Sequence, residues 1–168
     1  MTNNIILIGM PGAGKSTVGV VLAKNIGYSF LDSDLLIQER EKKKLHEIIE
    51  NLGLESFNEI ENEVNSSIET TQTVIATGGS AVYGKDAMEH FKSIGTIIYL
   101  KLSYNELTNR LGDLTKRGVS IRQGQTLSEL YNERKPLYEK YADITIDCDN
   151  QSIRELVETI TKHLLAPL

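Results

Sequence analysis

The sequence predicts an α/β protein built on a parallel sheet with helices packed on both faces. Three observations carry this. Short apolar or β-branched runs alternate with longer helical patterns along all 168 residues. The runs lack strict in–out alternation, as do strands covered on both faces. Four Ser/Thr-x-x-Glu tetrads stand ahead of helical patterns, at Ser56–Glu59, Ser103–Glu106, Thr126–Glu129 and Ser152–Glu155. In such a box the hydroxyl and the carboxylate each satisfy a helix-end N–H. This alternation implies parallel strands joined by helical crossovers.

The elements follow in order. Asn4–Ile8 reads as a buried first strand. Ser16–Ile26 reads as a helix with Val18, Val21, Leu22 and Ile26 on one stripe and Gly27 as its stop. Ser29–Leu31 is a short second strand, with a helix from near Leu35. Phe57, Ile60, Val64 and Ile68 recur at helical spacing and predict a helix over Ser56–Ile68. Thr73–Ala76, Thr96–Leu102 and Ile144–Asp147 complete the strands. The stretch Gly112–Gln125 fits neither period. It carries Lys116, Arg117 and Arg122 between glycines and reads as a surface loop or, opposite an anion site, as a lid.

Composition narrows the class. Apolar residues make up 40% and charged residues 24%, as in ordinary globular chains. The length predicts one domain over residues 1–168, able to bury a core without disulfide or structural metal. A net charge of −5 gives no global basic footprint for nucleic acid. No apolar run approaches a bilayer span, and the N-terminus lacks signal-peptide character. Cys148 is the single cysteine, which fits a reducing compartment. The expectation is a cytoplasmic monomer that meets neither nucleic acid nor membrane.

Gly9-Met10-Pro11-Gly12-Ala13-Gly14-Lys15-Ser16 matches G-x-x-x-x-G-K-[ST] in full, between a strand and a helix. Glycines let backbone N–H groups curl around phosphate oxygens, and the helix N-terminus adds partial positive charge. Lys15 is expected at the β- and γ-phosphates and Ser16 on Mg²⁺. The motif points to ATP or GTP without naming the reaction. Asp32 and Asp34 stand at the carboxyl end of the second strand, where open α/β sheets bind ligands. They suit a metal and a substrate hydroxyl, or simply the cap of the next helix. Thr77-Gly78-Gly79-Ser80 repeats the construction after the third strand. His46, His90 and His163 form no ligand spacing. Cys148, and Tyr131, Tyr138 and Tyr141 at helical spacing, read as packing.

Taken together, these motifs resemble shikimate kinase, the small P-loop kinase family of aromatic (chorismate) biosynthesis, related to nucleoside monophosphate kinases. The resemblance covers nearly the whole chain. It runs through the loop at 9–16, Asp32-x-Asp34, Glu55-x-Phe57-x-x-x-Glu61, Thr77-Gly78-Gly79, Arg110, Arg117 and Glu133-Arg134-x-Pro136-Leu137-Tyr138. It implies a three-layer P-loop fold, with five parallel strands in the order 2-3-1-4-5. It also implies a substrate-binding subdomain near 33–61 and a mobile lid near 112–125. It implies ATP and Mg²⁺ as cofactors and a small-molecule hydroxyl acceptor. ATP would lie on Gly12, Ala13, Gly14, Lys15, Ser16, Thr17, Arg110 and Arg117. Mg²⁺ would take Ser16 and Asp32. The acceptor would meet Asp34, Asn58, Glu61, Gly78, Gly79, Ser80 and Arg134. Lys15, Asp34 and Arg117 would be catalytic.

Three departures stand out. Asn58 replaces an arginine that in the family joins Arg134 on the acceptor carboxylate and offsets the nearby glutamate. Ser80 replaces the third glycine, and Arg117-Gly118-Val119 replaces Arg-Pro-Leu. The leading reading is ATP-dependent phosphorylation of shikimate to shikimate 3-phosphate. The alternatives are a kinase of another small polyol or sugar acid, or a non-catalytic nucleotide-binding paralogue. A nucleoside monophosphate acceptor fits less well, since residues 32–61 hold only Arg40 as an arginine.

Overall fold

The computed structural model describes residues 3–111 and 119–166. Strands β1 (Asn4–Ile8), β2 (Ser29–Asp32), β3 (Thr73–Ala76), β4 (Gly95–Lys101) and β5 (Ile144–Asp147) form one parallel sheet, ordered β2-β3-β1-β4-β5. This is the order the resemblance implies. β1 and β3, inside the sheet, are buried at every position, as strands covered on both faces must be. The edge strands β2 and β5 are more exposed.

The helices are α1 (Lys15–Ile26), α2 (Ser33–Glu41), α3 (Leu45–Leu52), α4 (Leu54–Ser66), α5 (Lys85–Ile94), α6 (Tyr104–Arg110), α7 (Leu127–Tyr141) and α8 (Ile153–Leu165). A 3₁₀ turn spans Ala81–Tyr83. The main core lies around the sheet. A second, smaller apolar cluster of Ile37, Ile48, Phe57 and Val64 joins α2, α3 and α4. No helix among the described residues is long and apolar enough to cross a membrane.

Several boundaries differ from the sequence expectation. Val21 is 41% exposed rather than on the buried stripe of α1. At 100° per residue it lies off the face formed by Val18, Gly19, Leu22 and Ala23, all buried. α2 begins at Ser33 because the Asp32 side chain already accepts the Asp34 N–H. β4 runs from Gly95 to Lys101, one residue earlier than expected at each end.

The four capping boxes fare unequally. Thr126 and Ser152 form complete boxes with Glu129 and Glu155. Ser103 caps α6, but its own N–H goes to Asp149 and the Glu106 carboxylate to Arg110. Ser56 caps nothing. α4 starts at Leu54 behind Gly53, whose φ of 83° opens the chain there, and ends at Ser66, short of Ile68.

Candidate active site

The site gathers at the carboxyl ends of β1, β2 and β3, neighbours in the sheet. Residues 9–14 leave β1 through glycines with φ of 149° at Gly9, 84° at Gly12 and 87° at Gly14. At Gly9 a side chain is also excluded by space, since a Cβ would stand 2.7 Å from the Leu100 carbonyl oxygen. α1 then opens with its N-terminal N–H groups aimed at the loop. Lys15 is buried, and its Nζ donates to the carbonyls of Gly9 at 2.8 Å and Met10 at 2.9 Å. Burial lowers its pKa to about 8, against the pull of Asp34.

Asp32 answers both readings of its position. Its Oδ1 caps α2 through the Asp34 N–H, and its Oδ2 accepts the Ser16 hydroxyl at 2.8 Å. Two hard oxygens side by side at a phosphate loop suit Mg²⁺, which keeps several waters and takes few protein ligands. No denser cluster of metal-ligating side chains exists among the described residues.

The β3 exit and α7 build the other end. Tyr138 is fully buried, and its Oη donates to the Gly79 carbonyl at 2.6 Å. Arg134, also fully buried, donates through Nη2 to the Ser120 carbonyl at 2.5 Å and through Nε to the Tyr83 hydroxyl at 3.3 Å. Glu61, 2% exposed, accepts the Ser80 hydroxyl on Oε1 at 2.5 Å. Asp34 Oδ1, Glu61 Oε2 and Arg134 Nη1 are among the atoms here that remain buried without a partner. They converge on two bare α-carbons. A Cβ on Gly78 would stand 2.7 Å from Asp34 Oδ1 and 2.8 Å from Glu61 Oε2. One on Gly79 would stand 2.8 Å from Arg134 Nη1 and 2.7 Å from Pro11. Burial, then the charge of Asp32, raises the Asp34 pKa to about 6. Burial raises Glu61 to about 7, opposed by the Ser80 hydrogen bond.

One cavity of about 260 Å³ joins the two ends. Of the expected residues, Gly12, Gly14, Lys15, Ser16, Thr17, Asp34, Gly78, Gly79, Ser80 and Arg134 line it. Ala13 is buried within the loop. Arg110 lies beside the loop, with Nη1 at 3.5 Å from the Gly12 carbonyl and Nε on Glu106. Glu61 sits behind Gly78 rather than on the cavity wall. Asn58 lines a neighbouring cavity of about 90 Å³ with Tyr83, Arg122 and Glu133, and Ser120 borders both. Arg117 and Lys116 lie outside the described residues. Arg122 pairs with Glu133 at 3.3 Å.

The family model described as shikimate kinase matches residues 11–165. The chain belongs to the shikimate kinase family. A shikimate kinase from Thiobacillus denitrificans is 36% identical over 94% of this chain and 88% of its own length. Another, from Thermodesulfovibrio yellowstonii, is 36% identical over 95% and 94%. The structure of shikimate kinase from Acinetobacter baumannii in complex with shikimate superposes with a TM-score of 0.86 at 31% identity, over 98% of this chain and 94% of that one. This family member is accordingly an ATP-dependent kinase acting on a small-molecule hydroxyl.

Sequence reasoning missed Tyr83, Ser120 and the link from Tyr138 to Gly79. Tyr138 carried a signal as the last residue of the Glu133–Tyr138 motif and as part of a helical aromatic stripe, but neither pointed to the Gly79 carbonyl. Tyr83 and Ser120 carried none, because their roles depend on where α7 brings Arg134.

Proposed function

We propose that this cavity transfers the γ-phosphoryl group of ATP to a hydroxyl of shikimate. The observation that carries the reading is a single cavity with phosphate-handling groups at one end and complementary acceptor groups at the other. At the acceptor end, Asp34 Oδ1 and Arg134 Nη1 are buried and unpartnered. A buried unsatisfied polar atom costs about 1–3 kcal/mol, which a ligand hydroxyl and carboxylate would relieve. The family match favours shikimate over another polyol and over a non-catalytic nucleotide binder.

Residues 12–17 hold the triphosphate through backbone N–H groups and the Ser16 and Thr17 hydroxyls. Lys15 exchanges its two carbonyl partners for phosphate oxygens. Ser16 and Asp32 would hold Mg²⁺, which would offset phosphate charge when bound. Asp34 accepts the proton of the attacking hydroxyl as its oxygen bonds to the γ-phosphorus and ADP leaves. A pKa near 6 leaves Asp34 ionised at neutral pH and more basic than an ordinary aspartate. Gly78 and Gly79 admit the acceptor close to the backbone, and Arg134 takes its carboxylate. Residues 33–61 act as the acceptor subdomain and 112–125 as a lid. From the lid Arg117 meets the γ-phosphate, and Arg110 borders the adenine.

The test is ATP consumption with shikimate and a panel of other small polyols. Shikimate should be turned over, and Lys15→Ala should lower turnover by more than about tenfold with an unchanged circular dichroism spectrum. Reaction of another polyol, with none of shikimate at millimolar concentration, would overturn the assignment.

A further inference from the structure

We propose that Ser80 is a positioning residue for acceptor binding, whose hydroxyl holds the Glu61 carboxylate away from the cavity and so sets affinity for an acid. The proposal rests on the reading of the acceptor as shikimate. Ser80 has a φ of −90°, open to any residue, so the backbone does not call for a particular side chain there. It lines the cavity, while Glu61 does not. Ser80 Oγ donates to Glu61 Oε1, and Glu61 Oε2 lies against Gly78 beside Asp34 Oδ1 without a partner. Among the described residues no Lys or Arg nitrogen forms an ion pair with Glu61. Residue 58 lies three positions earlier on α4, where an arginine would face Glu61. Asn58 brings no charge, and its own Oδ1 is buried and unpartnered. The charge-assisted bond from Ser80 therefore takes the place of a counterion.

The groups acting on Glu61 are Asp34 from α2, Lys15 from α1 and Arg134 from α7, with Ser80 donating to it from the β3 exit. Asp34 disfavours its charged form, whereas Lys15 and Arg134 favour it. Above neutral pH Glu61 is an anion beside the seat of the acceptor carboxylate. Released from Ser80, it would turn to the unpaired Arg134 Nη1 and compete with the acceptor for that cation.

The experiment measures KM for shikimate at pH 6 and pH 8 in Ser80→Ala, Glu61→Gln and the double variant, with KM for ATP alongside. Ser80→Ala should raise the shikimate KM about tenfold at pH 8 and far less at pH 6, where Glu61 is protonated. In the Glu61→Gln background the same change should have less than about a twofold effect, because the amide carries no charge. Adding Asn58→Arg to Ser80→Ala should restore the KM by giving Glu61 a cation. Equal increases at both pH values and in both backgrounds would mean that Ser80 contacts the acceptor directly, and would overturn the proposal. If Ser80→Ala does not fold, Ser80→Cys keeps the shape with a weaker donor and carries the same comparison. Wild type without shikimate turnover would overturn the functional reading and this proposal with it. Turnover without coupling between positions 80 and 61 would overturn this proposal alone.

Discussion

Glu61 shows how one buried carboxyl links stability to pH. Its pKa is pushed up from 4.5 to about 7, chiefly by burial. Between those pH values the folded chain binds more protons than the unfolded one. The stabilisation is therefore full below about pH 4.5 and is lost as pH rises through about 7. That gap is equivalent to about 3 kcal/mol. Asp34, raised from 3.8 to about 6, acts in the same direction over a lower window. Glu61→Gln keeps an oxygen for the Ser80 hydroxyl and removes the charge. It should stabilise the protein at pH 8 by about 1–3 kcal/mol and narrow the difference between melts at pH 5 and pH 8. A mutant with the same pH difference as wild type would show that Glu61 is not the group responsible. Cys148, fully buried with its thiol pushed up to about 12, has no such reach and serves packing.

Among the elements, strands and the phosphate loop were legible in the sequence because their signals are local. A buried strand shows its apolar run, and the loop shows its glycines. The acceptor end was legible only in part. Asp34, Gly78 and Gly79 follow strand ends, but Asn58 lines a side cavity, because the packing of α4 through Phe57, Glu61 and Val64 sets which way residue 58 faces. A Ser-x-x-Glu tetrad there was no guide, since Gly53 opened the helix two residues before the expected start. This contrast yields a test. Thr126 caps α7, the helix that carries Arg134, through the Glu129 N–H at 3.1 Å. Thr126→Ala should cost about 1 kcal/mol in denaturant unfolding. Ser56→Ala, inside α4, should fall within about 0.5 kcal/mol of wild type, as helix-interior serine gains nothing from capping. Equal losses would return Ser56 to the role of a cap.

At the scale of the whole molecule, the strand order puts the exits of β2, β3 and β1 side by side, so three sequence-distant loops meet at one edge. α7 fixes their spacing from the far side. Tyr138 is its anchor: the ring stacks on Tyr99 of β4 with centroids 5.0 Å apart, and Oη reaches the Gly79 carbonyl. Gly79 in turn has its bare α-carbon against Pro11 of the phosphate loop and Arg134 Nη1. Tyr138→Phe keeps the stacked ring and removes only the donor. It leaves the Gly79 carbonyl without its hydrogen bond, at a cost of about 1–3 kcal/mol in stability. The freed turn shifts relative to Arg134, while the phosphate loop stays fixed by β1 and α1. The shikimate KM should therefore rise severalfold more than the ATP KM, read from steady-state rates with each substrate varied in turn. Equal rises would mean that Tyr138 positions the phosphate loop as much as the acceptor seat. No rise in either would mean that packing alone holds the β3 exit in place.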